Sequence, residues 1–256
     1  MEEELAAGLV RLLQPEADRS ISSTASTRRF SLRYGVAGRS LTAFAPAVVL
    51  AWLGVAQAGS AASSWVSFTT HPSWTLASDL ARSALYAAFV LGAAIVLARS
   101  KVPRARNGSR MIVASSLTAS FLMLGVSFLP TGPILWSASN HVVAAGLAIT
   151  VFGAALVFAS FVSLGSNFSI VPEARALVVT GPYRFLRHPI YLAELLMIAG
   201  VAIGQLRVTT LVGIVGLLGL QIYRIRAEER LLRDAFPTTF TQFTVRTRFR
   251  LIPLLW

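Results

Sequence analysis

Residues able to do chemistry gather late in this chain. Leu164 to Glu194 reads LGSNFSIVPEARALVVTGPYRFLRHPIYLAE, and Tyr223 to Phe236 reads YRIRAEERLLRDAF. Together they offer one histidine (His188), three tyrosines (Tyr183, Tyr191 and Tyr223), the paired carboxylates Glu228 and Glu229, and a run of arginines. A guanidinium can hold a carboxylate through two parallel hydrogen bonds, an ionised carboxylate can hold an ammonium, and an imidazole can donate or accept. The chain has no cysteine, so thiolate metal sites, thiol catalysis and disulfides are excluded. The histidine and carboxylates carry no metal-site spacing, and no metal is expected.

The elements that must position these residues are apolar. Of the 256 residues 55% are hydrophobic and only 13% charged, with a mean hydropathy of +0.65. Six hydrophobic segments, at Leu41 to Ala58, Ala81 to Ala98, Met111 to Leu129, Val142 to Ser163, Ile190 to Leu206 and Val208 to Tyr223, are each about long enough to cross a hydrocarbon layer of roughly 30 Å as a helix. They lack the alternation of barrel strands, which leaves helices as the spanning elements. The expected fold is therefore an all-α integral membrane protein with about six transmembrane helices. Its parts are a basic tail over 1–40, transmembrane helices over 41–163, and a polar-bracketed region over 164–256 whose last two segments form a helical hairpin. About 17 residues up and 15 back return the chain to the face it left. His188 and Glu228 are thus expected side by side despite their separation in sequence, in a site suited to a polar cofactor meeting an amphiphilic substrate.

Of the 23 Lys and Arg residues, 21 lie in the tail, the Arg99 to Arg110 loop, the stretch after Ser163 and the C-terminal end; only Arg82 and Arg207 fall on the other side. That bias places both termini in the cytosol. The net charge of +12 is distributed between membrane segments and forms no single basic face with interleaved aromatics, so a nucleic-acid partner is not expected. Arg246, Arg248 and Arg250 read as charges that follow the phosphate layer. Trp65, Trp74 and Trp136 read as headgroup anchors in the opposite loops. Gly200 with Gly204, and Gly213, Gly216 and Gly219, read as small-residue faces for close helix packing. Glu194 lies a turn inside an apolar segment, where a carboxylate is costly and faces a partner or a cavity; Arg187 is its expected partner.

The run GPYRFLRHPIY, the GSNF at Gly165 to Phe168 and the later EERLLRDAF together resemble the isoprenylcysteine carboxyl methyltransferase family and its relatives among phospholipid methyltransferases, over roughly Leu164 to Pro253. The resemblance implies S-adenosyl-L-methionine as cofactor, wrapped by the loop before the hairpin and the His-Pro-x-Tyr element. Carried over by motif position, it implicates Arg175, Ala176, Leu177 and Val178 around adenine and ribose. It implicates Tyr183, His188, Pro189, Ile190 and Tyr191 against the cofactor, and Glu228 on its amino group. Arg224, one helical turn before Glu228, would face the acceptor carboxylate as the catalytic alignment residue, with Glu194 in the substrate pocket. The acceptor would be a prenylcysteine-like carboxylate entering from the bilayer, or else a phospholipid amine or another isoprenoid lipid.

Some positions depart from the family pattern. Ala193 and Pro237 stand where glycines are usual, Phe240 and Phe243 where tyrosines are usual, and the linker from Ser169 to Leu177 is short. The membrane sterol and steroid reductases share an RHPxY-like hairpin and bind a nicotinamide cofactor, but usually carry Asn where this chain has Ile190. A transporter would place acids at the bilayer midplane, which the sequence does not. Arginine outnumbers lysine 22 to 1, the mark of a GC-rich genome. That suggests a bacterial inner membrane, where prenylated proteins are not expected and the natural acceptor would differ.

Overall fold

The computed structural model describes residues 36–101, 103, 105–106, 109–128 and 132–252. The basic-tail expectation over 1–40 lies almost wholly outside the described residues, as does the C-terminal end at 253–256. The elements in chain order are α1 (Val36–Thr70), α2 (Trp74–Ala98), β1 (Ala105–Arg106), α3 (Arg110–Phe128), β2 (Ile134–Ser137) and α4 (Asn140–Leu164). A 3-10 turn (Gly165–Asn167), β3 (Glu173–Ala174) and a second 3-10 turn (Gly181–Arg184) lead to α5 (Pro189–Gly204), β4 (Gln205–Arg207), α6 (Val208–Ala235) and α7 (Pro237–Arg246).

Among the described residues, four helical stretches are long and apolar enough to cross a membrane: Pro46–Thr70, Leu76–Ala98, Asn140–Asn167 and Val208–Ala235. α5, with 16 residues, is shorter, and rises only about 24 Å. No more than a third of any of the four apolar windows is buried within the protein. Trp52, Phe152, Val162, Val212 and Val215 project outward from α1, α4 and α6. Apolar faces this large need a non-aqueous solvent, so the protein is a membrane protein of mainly helical build. Two short antiparallel ladders, β1 with β3 and β2 with β4, qualify the all-α expectation. The second ladder ties the α5–α6 turn to the chain before α4, and Ala138 N–H donates to Gly204 O there.

α1 packs on α2, α2 on α4, α4 on α5, and α3 on α6. The closest approach is between α4 and α5. A Cβ added to Gly200 would run into the Gly146 carbonyl and the Thr150 hydroxyl, and Thr150 Oγ1 is already committed to Gly146 O at 3.0 Å. The Gly200 reading is therefore upheld, while Gly219 is corrected: nothing lies within 4 Å of its added Cβ, because that side of α6 faces outward. Trp65 is also corrected. α1 continues past the expected end at Ala58, so Trp65 is a helical residue, exposed like Trp74 at the start of α2 and Trp136 in β2. α6 runs past the expected Tyr223 without a break, which puts Arg224 and Glu228 on one helix face.

Candidate functional site

The loop from α4 to α5 is held by its own side chains. Gly165 ends α4 with φ 49°, a left-handed turn that favours glycine. Arg175 donates to Phe168 O and, at 2.6 Å, to the Glu173 carboxylate, which also accepts from Ser169 Oγ at 2.9 Å. Gly181, at φ 57°, lets the next turn close against Ser163. That turn buries Tyr183, and Pro189 then opens α5 at its first position, where its fixed φ suits the helix and its missing N–H costs nothing. Chain from beyond α7 lies alongside: the N–H groups of Arg187 and His188 donate to Phe249 O and Arg250 O, each at 3.0 Å.

His188, the residue before that proline, sits between the two successive carboxylates of α6. Its Nδ1 is 3.6 Å from Glu228 and its Nε2 is 3.6 Å from Glu229. The imidazole stacks on Tyr191 with ring centroids 5.6 Å apart, and Tyr191 donates its hydroxyl hydrogen to Glu228. Burial favours the neutral imidazole, but the flanking Glu228 and Glu229 outweigh it and raise the His188 pKa above the ordinary 6.5. Burial, reinforced by the Glu228 charge, pushes the Tyr183 phenol well above 10, so it stays neutral. Glu229 is the better-paired acid, accepting from Arg187 Nη1 at 3.1 Å and from Arg250 Nε at 3.1 and 3.2 Å. Arg187 also donates to the carbonyls of Thr244, Thr247 and Arg248.

Arg224 is 2% exposed. One nitrogen donates to Ile170 O at 2.9 Å, and the guanidinium lies 4.7 Å from the Tyr191 ring centroid. Nε and Nη1 have no hydrogen-bond partner among the described residues, and buried N–H groups without partners are uncommon enough to require a ligand or a cost. The expected pairing of Glu194 with Arg187 is corrected: Glu194 accepts from Gln221 Nε2 at 2.9 Å, because Arg187 turns away into the Glu229 cluster. Arg250, read as surface charge, belongs to that cluster too.

These groups face a cavity of about 160 Å³. Of the expected site residues, Ala176, Leu177, Val178, Tyr183 and His188 line it, as do Ile190, Tyr191, Glu194, Arg224 and Glu228; Arg175 and Pro189 do not. Those two build the loop and the helix start. The cavity continues between helices, where Leu50, Phe89, Val90, Ala93 and Phe161 complete its wall. Sequence reading missed these, since an apolar residue in an apolar segment carries no mark of the face it presents; it also assigned no site role to Phe168, Ile170 and Glu173 in the loop before α5. Arg187 was read only as a partner for Glu194, and Glu229 as one of the paired carboxylates without a contact of its own; their adjacency to the His-Pro and Glu228 positions was the available signal. Among the described residues no cluster of three His, Asp or Glu side chains could hold a metal ion.

The residues present fit a zwitterionic, partly apolar cofactor. Glu228 keeps about a fifth of its side chain open and can accept an ammonium, while Tyr183, Tyr191, Leu177 and Val178 supply flat and apolar walls. The family model for phospholipid methyltransferase matches residues 141–239, from the start of α4 through the loop, α5 and α6 into α7. The match thus covers His188, Tyr191, Arg224 and Glu228 together. No curated protein matches the chain.

Proposed function

We propose that the protein is an S-adenosylmethionine-dependent methyltransferase acting on a lipophilic acceptor drawn from the bilayer, with carboxyl O-methylation of a prenylcysteine-like acceptor as the leading assignment. The observation that carries this reading is the two-ended cavity: His188, Glu228, Arg224 and Glu194 share one space with Leu50, Phe89, Val90 and Phe161. A water-soluble acceptor would not call for the second end. Bound there, S-adenosylmethionine would supply a methyl carbon on a positively charged sulfur.

The chain's own residues then have separable tasks. Glu228, braced by Tyr191 and His188, accepts the cofactor ammonium. The 176–178 stretch would border adenine and ribose, with Arg175 holding that loop in place, and Tyr183 would pack beside them. The attacking oxygen of the acceptor carboxylate needs no general base, because a carboxylic acid with a pKa of about 4 is ionised at neutral pH. Burial of the site keeps water away from the reacting carbon.

A second reading, transfer to the amine of a phospholipid, is favoured by Glu194. A carboxylate facing the same cavity, held by Gln221, complements an ammonium and not an acid. The site would open to the cytosolic face of a bacterial inner membrane, the side of both termini and of the Arg99 to Arg110 loop. Reporter fusions after Trp256 should be active only as cytosolic fusions; activity only on the opposite side would reverse that placement.

Incubating purified protein with radiolabelled S-adenosylmethionine and lipid extracts decides between acceptors. Label in a base-labile ester supports the carboxyl reading, and base-stable label in a headgroup amine supports the phospholipid reading. No label in any lipid fraction would remove methyl transfer to a lipid as the activity.

A further inference from the structure

Six of the eleven arginines between residues 164 and 252 divide by environment. Arg175, Arg187 and Arg250 meet carboxylates, and Arg224 lies buried in the main cavity. Arg184 and Arg246 meet none among the described residues. Both line a separate cleft of about 380 Å³ between the 179–184 loop and α7. Thr239, Gln242 and Arg246 lie on one side of α7 at spacings of three and four, and Val179 and Arg184 form the opposite wall.

The base of the cleft joins it to the main site. Phe243, buried, lines both spaces. Thr247, at the same base, is buried and donates its hydroxyl hydrogen to Arg184 O at 3.2 Å. Exposed apolar side chains accompany the two arginines: Val179 lines the cleft, and Phe185 and Val245, next in the chain to Arg184 and Arg246, are 66% and 69% exposed. Cations beside large exposed apolar side chains are the signature of a surface that sits in a headgroup layer.

We infer that the Arg184–Arg246 cleft is a discrete binding site for the phosphate of an anionic phospholipid, distinct from the acceptor site and separated from it by Phe243. The paired guanidiniums match a phosphodiester in charge and in hydrogen-bond geometry. Thr239 and Gln242 supply further donors, and Phe185 and Val245 meet the start of the acyl chains. Arg246 alone would be explained as a favourable charge in the last turn of α7. Arg184 is on another element, and that explanation does not reach it. An occupant would brace α7 against the 179–184 loop, and so fix Phe243 and the neighbouring Tyr183, both of which wall the main cavity. The binding claim does not depend on the methyltransferase reading.

The test is lipid retention by full-length protein in neutral detergent, measured by native mass spectrometry with phosphatidylglycerol and phosphatidylcholine as probes. The expected result is preferential retention of phosphatidylglycerol, reduced roughly 10-fold or more in an Arg184→Gln/Arg246→Gln double variant. It should be unaltered in the charge-matched Arg226→Gln/Arg230→Gln control. Equal loss in both double variants would mean diffuse surface charge and overturn the site. Equal retention of the two lipids by the unmutated protein would do the same. Displacement of phosphatidylglycerol by millimolar inorganic phosphate would show a free-anion site, not a lipid site. Hydrogen exchange supplies a readout free of catalysis: amides of 240–247 should slow with phosphatidylglycerol in the unmutated protein and not in the Arg184/Arg246 variant.

Discussion

At the polar end of the cavity the key carboxylates and cations are held by named partners: Glu228 by Tyr191 and His188, Glu229 by Arg187 and Arg250, Arg224 by Ile170 O, Glu194 by Gln221. At the apolar end Leu50, Phe89, Val90 and Phe161 meet one another through contacts without direction, such as the stacked rings of Phe89 and Phe161 at 6.0 Å. The first kind of wall tolerates little substitution, since removing one partner leaves another buried and unsatisfied. The second tolerates a good deal, since shape and volume are its main requirements. Chemistry is therefore expected to depend on single residues at one end, and acceptor size on the sum of several at the other.

The largest effect should come from breaking the polar end at its most connected acid. Glu229→Ala leaves Arg187 and Arg250 without their carboxylate and removes one of the two acids flanking His188. Loss of one partner from a mostly buried pair costs about 3 kcal/mol or more, and thermal unfolding in detergent should show it as a clear fall in Tm. An unchanged Tm would mean the cluster is surface decoration. Arg224→Ala should keep cofactor affinity and lose methyl transfer, by roughly 30-fold or more in kcat/KM, as expected for a desolvated bidentate contact worth about 2 to 5 kcal/mol. Arg224→Lys should restore little, because an ammonium lacks the planar fork. Near-normal efficiency in Arg224→Ala would reject the acceptor role.

The next effect is in pH. The His188 pKa is raised in the folded protein, so the stabilisation from its protonated form is fully present below about 6.5. It is lost as pH rises through the folded value. Cofactor affinity and Tm should both decline on the alkaline side, and His188→Gln should flatten that limb; a limb of the same shape in the variant would assign it to another group. The smallest effect is expected at the apolar end: Phe89→Leu should leave cofactor affinity alone and change selectivity between acceptors of different chain length by about 10-fold or less. A cofactor defect from Phe89→Leu would show that the two ends are not separable.

Much of the polar end was legible in the sequence because its residues are chemically marked. A histidine before a proline and a pair of glutamates in an otherwise apolar chain can be brought together by helix length alone, and the structure places His188 beside Glu228. Glu194 was legible as a carboxylate in need of a partner, but the partner was not, since Arg187 and Gln221 are both within plausible reach of it in sequence. Arg187 bonds chain near Thr247 and Arg248 as well as Glu229, and contacts across some sixty residues leave no local pattern. The helices of the membrane region were legible from hydropathy, but their ends were not. α1 carries its helix past Ala58 to Thr70 and α6 continues through its charged last third, because a helix stops at a break in hydrogen bonding and not where hydrophobicity falls. The apolar wall from α1, α2 and α4 was least legible, since Phe89 and Phe161 are chemically like Phe152 and Phe158, which face outward from α4.

The central claim is that Glu228 and His188 form the cofactor end of the cavity. Isothermal calorimetry with S-adenosylhomocysteine on the purified protein, on Glu228→Gln and on His188→Ala, with folding of each variant checked by circular dichroism, addresses it directly. Binding by the unmutated protein, about tenfold or more weaker in each folded variant, is the predicted result. Unchanged affinity in both variants, or binding of NADPH in place of S-adenosylhomocysteine, would contradict it.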